Sequence, residues 1–117
     1  MHLNLSHFPT KLAILDLPGI ILLPRGKLPI HLMEDKHKLL IEEALKTDRY
    51  VGVVQADKRA EGEKLFRSGC LGKITTFSEG EEGDYFVILS GVCRFNLLDP
   101  QETSKPYFIH SVSYETF

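Results

Sequence analysis

The sequence predicts a mainly β domain of the α+β kind: a small, partly open β-barrel of about six or seven strands carrying one main α-helix. Three observations predict it. Short apolar and β-branched runs recur between turn residues, Tyr85-Phe86-Val87-Ile88-Leu89 being the clearest. Such runs are apolar at nearly every position, as in strands covered on both faces, which calls for a sheet curled on itself. Helical periodicity is sustained in a single stretch, from about Asp35 to Thr47.

The elements follow in order. Leu12-Ala13-Ile14-Leu15-Asp16-Leu17 reads as a covered strand, broken by Pro18-Gly19. The next apolar run ends at Pro24-Arg25-Gly26, a second turn. Leu28-Pro29-Ile30-His31-Leu32 is extended, and because Pro29 lacks an N–H it belongs on an edge or at a bulge. In the helix, His37, Leu40, Ile41, Ala44 and Leu45 form one stripe for the core. Glu34 and Asp35 suit the positive end of its dipole, and Glu42 can pair with Lys46 one turn on. Strands are expected at Tyr50–Gln55, Cys70–Ser78, Tyr85–Leu89, Val92–Leu98 and Tyr107–Val112. Between them lie a charged loop over residues 56–64, a hairpin tip at Glu79–Asp84, a break at Ser90-Gly91 and a stop at Asp99-Pro100.

Composition narrows the function classes. The 117 residues fit one domain, and 43% hydrophobic with 26% charged residues is ordinary for a folded chain. A formal charge of -2 lacks the basic excess of nucleic-acid binders, which disfavours a nucleic-acid partner. The longest apolar run, Gly19-Ile20-Ile21-Leu22-Leu23, is far short of the roughly 20 residues that cross a bilayer. The N-terminus lacks a secretory pattern, and Cys70 and Cys93 have no metal-ligand spacing, so a reduced, cytoplasmic setting is expected.

Several stretches, taken together and in order, resemble one family. They are Leu15-Asp16-Leu17-Pro18-Gly19, with Leu22-Leu23-Pro24-Arg25-Gly26-Lys27-Leu28-Pro29-Ile30-His31-Leu32 following. Arg49-Tyr50-Val51-Gly52-Val53-Val54-Gln55 comes after the helix, then Leu65-Phe66-Arg67-Ser68-Gly69-Cys70-Leu71-Gly72-Lys73-Ile74 and Leu89-Ser90-Gly91-Val92-Cys93-Arg94-Phe95, with Pro106-Tyr107 before the last strand. This set is similar to the N-terminal, substrate-binding domain of Lon-type proteases, a barrel like that of pseudouridine synthase and archaeosine transglycosylase (PUA-like). The resemblance covers about residues 12 to 114. It implies that residues 1–117 form a single Lon N-terminal-like domain, of the β-rich part only, either a fragment or a compact stand-alone member. The helical subdomain, ATPase and protease domains of larger members are not expected here: no Gly-x-x-x-x-Gly-Lys-Ser/Thr stretch offers a phosphate cradle, and 117 residues leave no room for a protease domain. One departure concerns packing: Met33-Glu34-Asp35-Lys36-His37 stands where the family has an aromatic anchor and a proline opening the helix.

The chemistry expected is that of a binding module. No catalytic, cofactor or metal site is predicted: His2, His7, His31, His37 and His110 form no ligand spacing, and His37 is read as a buried, hydrogen-bonded residue. Cys70 and Cys93 are read as packing residues, and Glu79, Glu81, Glu82 and Asp84 as solvated turn charges. Arg94 is read as a structural hydrogen-bonding residue. The candidate peptide-binding residues are Leu65 and Phe66, which follow the charged loop; their bland role is to anchor the next strand. The resemblance implies an unfolded or extended polypeptide, or a protein partner, as ligand. Strand addition at a free sheet edge is a compatible mode, with the Pro29 edge blocked. RNA binding by a PUA-like barrel is the alternative, by fold analogy alone. A small-molecule enzyme or sensor is the third, and it requires a deep polar pocket. Oligomeric state is left open.

Overall fold

A computed structural model describes residues 7–57, 64–65 and 67–114. The elements are β1 (Lys11–Asp16), β2 (Lys27–Leu32), α1 (Asp35–Leu45), β3 (Tyr50–Val54), β4 (Ala56–Asp57), β5 (Lys64–Leu65), β6 (Ser68–Glu79), β7 (Tyr85–Pro100) and β8 (Phe108–Tyr114). Six strands form one sheet in the order β2-β7-β6-β3-β1-β8, and β8 also pairs with β7. That last pairing closes β1, β3, β6, β7 and β8 into a ring, leaving β2 hung on the first half of β7. The result is a ring-bonded, partly open sheet rather than a regular barrel.

The closure is possible because β7 is long and irregular. Its first part pairs with β2, Tyr85 to Asn96 pair with β6, and its last part pairs with β8, Phe95 facing Tyr114. Against β6 the register slips twice: Leu71 faces Cys93 but Gly72 faces Gly91, and Ile74 faces Leu89 but Thr76 faces Ile88. Each slip inserts an extra residue, the signature of a bulge that bends the strand. Ser90-Gly91 is therefore no break; two expected strands are one bent strand. The expected loop over residues 56–64 is also corrected at its ends, where β4 and β5 pair as a short ribbon.

β1 and β3 run parallel, while the other pairs are antiparallel. Parallel neighbours need a crossover, and the stretch from β2 through α1 supplies it. The helix buries Leu40, Ile41 and Ala44 in the larger core cluster with Leu15, Val51, Ile74 and Tyr85, and buries His37 beside Asp16. It begins at Glu34 without a side-chain cap, and Met33 is exposed, so neither replaces the missing proline and aromatic anchor. Glu42 accepts a hydrogen bond from the Tyr85 hydroxyl instead of pairing with Lys46. Lys38 donates to the Gly83 carbonyl at 2.8 Å, tying the helix to the β6–β7 hairpin tip.

A second cluster fills the ring: Leu12, Ile14, Val54, Leu71, Cys93, Phe95 and Val112. Phe95 is fully buried because two glycines leave it room. A Cβ on Gly52 or Gly69 would lie 2.9 Å from its ring. Gly52, Gly69 and Phe95 of the resemblance thus serve packing. Among the described residues no helix is long and apolar enough to cross a membrane.

Candidate functional site

The connection from β1 to β2 is fastened at both ends and bare in the middle. At its start, Leu17 N–H donates to the Val54 carbonyl at 3.3 Å, and Ile20 N–H returns to Leu17 at 3.4 Å. Gly19 permits that turn with φ of 73°. The Gln55 side-chain amide donates to the Ile20 carbonyl at 3.3 Å. At its end, Gly26 N–H donates to Leu23, Arg25 N–H to Gly91, and Gly91 N–H to Gly26, at 2.8–2.9 Å. Between these fastenings, the backbone groups of Ile21 and Leu22 make no hydrogen bond among the described residues.

Side chains along this segment alternate. Leu22 is 6% exposed and joins the core, whereas Ile21 and Leu23 are 68% and 53% exposed. They border an open groove of about 240 Å³. Ile20–Leu23 form one wall and Val53 and Gln55 the other, with Ser68, Gly69, Cys70 and Arg94 completing the lining. Gly69 keeps the floor low: a Cβ there would stand 2.3 Å from the Val53 carbonyl. Burial pushes the Cys70 thiol up to about 11, so it is a neutral surface near pH 7. Arg94 is exposed and is the one permanently charged lining residue among those described. Among the described residues it makes neither an ion pair nor a side-chain hydrogen bond, which departs from the structural role expected of it. The groove can take one or two apolar side chains, with a cation at its margin.

The residues singled out in the sequence fall unevenly around this groove. Leu65 lies in β5, its backbone paired with Ala56. Gln55 immediately precedes β4, and Ser68 opens β6, so the β4–β5 ribbon springs from the groove's end. Phe66 lies outside the described residues. Sequence reasoning missed Ile21 and Leu23. The available signal was an apolar run pinned between two turn dipeptides, too short for a membrane and not assigned a partner strand.

Several of the remaining candidates are buried or have structural partners, and His2 lies outside the described residues. Cys70 and Cys93 are buried. His37 bonds to Asp16 at 3.2 Å, His31 to Asp84 at 2.5 Å, and His110 to the Leu98 carbonyl at 3.1 Å. Asp84 is therefore more than a solvated turn charge, and the His31 hydrogen bond holds its carboxyl below the usual range. Another apolar depression lies on the outer face of β2 and β7, but His31 stacks on Phe86 there with ring centroids 4.4 Å apart. The free edge of β2 is interrupted as well. Gly91 N–H donating to Gly26 makes Lys27–Ser90, and hence Pro29–Ile88, non-hydrogen-bonded pairs. The nitrogen of Pro29 thus faces the open edge, where an added strand would find no donor.

A family model described as the ATP-dependent protease La (LON) substrate-binding domain matches residues 11–116. Lon protease 2 of Myxococcus xanthus is 29% identical over 102 residues, covering 83% of this chain and 12% of that protein. Lon protease of Anaeromyxobacter dehalogenans is 29% identical over 110 residues, covering 90% and 13%. The chain thus spans about an eighth of the length of these relatives. Among solved structures, a Lon N-terminal domain protein from Xanthomonas campestris superposes with a TM-score of 0.75 at 21% identity, covering 91% of this chain and 60% of the other. The N-terminal domain of Mycobacterium avium complex Lon protease gives 0.71 at 16% identity, covering 92% and 55%.

Proposed function

Since the chain belongs to the ATP-dependent protease La (Lon) substrate-binding domain family, we propose that it is a non-catalytic module that docks unfolded or extended polypeptide in the groove beside Ile20–Leu23. One observation carries the choice of place. Ile21 and Leu23 stand out on either side of buried Leu22, beside an open groove, with neighbouring backbone groups unpaired among the described residues. An extended chain lodging one apolar side chain there gains about 1.5–3 kcal/mol from its burial. It also finds backbone donors and acceptors at Ile21 and Leu22. Association costs several kcal/mol of lost freedom, more than one such contact returns, so measurable binding requires a segment that presents two or more apolar anchors and stays weak. Two free, buried thiols accord with a module that works in the reducing cytoplasm.

The test is fluorescence anisotropy with a labelled 12-residue peptide rich in leucine and phenylalanine. The double variant Ile21→Ser, Leu23→Ser should lose about tenfold or more in affinity, since two exposed anchors are removed. Its circular dichroism and urea midpoint should hold, because both side chains lie outside the core. Unaltered affinity in that variant, or no association of the parent protein at millimolar concentration, contradicts the reading.

A further inference from the structure

The charge of the groove narrows what it takes. Arg94 sits on β7 opposite Cys70 of β6, and cross-strand partners project to the same side of a sheet. Its neighbours Cys93 and Phe95 are buried in the ring, so alternation along the strand turns Arg94 away from that interior and toward the groove lined by Cys70. Among the described residues no carboxylate lines the groove, and Cys70 is neutral. Two further arginines adjoin the lining in sequence, Arg25 two positions past Leu23 and Arg67 just before Ser68.

Resting on the docking reading above, we propose that Arg94 makes this groove selective for extended segments in which an acidic side chain stands beside the apolar anchor. A guanidinium offers a planar fork of donors that matches a carboxylate. An apolar side chain entering between Leu23 and Cys70 brings its neighbour within the reach of that fork. A long arginine stem can add apolar surface beside the anchor while its head stays in water. Because Arg94 is exposed, the gain is modest and salt-screened, about three- to tenfold at low ionic strength.

The experiment compares terminally blocked 12-residue peptides with glutamate, glutamine or lysine beside a central leucine. With the unmodified protein in 20 mM salt, anisotropy should order them glutamate, glutamine, lysine, and 0.5 M salt should compress the series (conditions on the order of those that separate screened from unscreened charges). Arg94→Gln should bring the glutamate-to-glutamine ratio to about one, and Arg94→Glu should place the lysine peptide ahead. A free-acid version of the glutamine peptide separates side-chain from terminal carboxylates; preference for it over the glutamate peptide overturns the proposal. Equal binding of the three, with sensitivity to Ile21→Ser, Leu23→Ser kept, overturns the selectivity alone. Absence of binding by all three removes the docking reading with it.

Discussion

Gly91 lies where β7 bends under the β1–β2 connection. A Cβ at this position would stand 2.0 Å from the Leu23 carbonyl and 3.3 Å from Pro24 Cα. Both neighbours are backbone, so the connection itself would have to lift. Gly19 is the contrast: φ of 73° but open space around its missing Cβ. Gly19→Ala should therefore cost about 1 kcal/mol, the left-handed penalty alone. Gly91→Ala should cost about 3 kcal/mol or more and weaken peptide binding too, through displaced Leu23. Urea unfolding with peptide anisotropy on both variants checks this; equal costs would show that the connection yields freely. At this scale the sequence was half legible. Apolar neighbours marked Cys70 and Cys93 for burial, and the helix stripe marked His37. A glycine that admits another segment's backbone looks the same in sequence as one that makes a turn, so Ser90-Gly91 read as a break. Arg94 was seen, but its lack of partners among the described residues depends on strands far apart in the chain.

Among elements, α1 is joined to the strand ahead of the groove by a polar contact. Asp16 at the end of β1 receives His37 at 3.2 Å and Lys36 at 3.6 Å. Burial works to raise the Asp16 carboxyl, but the His37 hydrogen bond, its own backbone hydrogen bond and the charges of Lys36 and His37 together outweigh it and leave it lowered. A carboxyl held below its unfolded value contributes stability above about pH 4, and loses it as pH falls through the folded value. Asp16→Asn should cost about 1–2 kcal/mol at pH 7 and flatten the decline of the urea midpoint below about pH 4. An undiminished decline in the variant would assign the acid sensitivity to other carboxylates, such as Glu43 beside Lys105 or Asp84 beside His31. Helix and hairpin were legible as elements because periodicity and turn chemistry are local. The Ile20–Leu23 connection was not, since an apolar run pinned at both ends without a ladder has the composition of a strand. Only its alternation, out at Ile21, in at Leu22 and out at Leu23, separates it from a buried one.

Across the whole molecule, ring closure sets which surfaces are available. Pairing of β8 with both β1 and β7 removes two edges, and Pro29 interrupts the free edge of β2. Strand addition in its simplest form is thus discouraged at that edge, and the proposed docking site lies instead at the connection between β1 and β2. That places the burden of the account on one groove. Backbone amide shifts in a 15N-labelled sample, titrated with the leucine- and phenylalanine-rich peptide, test it most directly. The largest changes should fall on Ile20–Leu23, Gln55, Ser68–Cys70 and Arg94. Changes centred instead on His31, Phe86 and Ile88, or on the exposed face of α1, would contradict it.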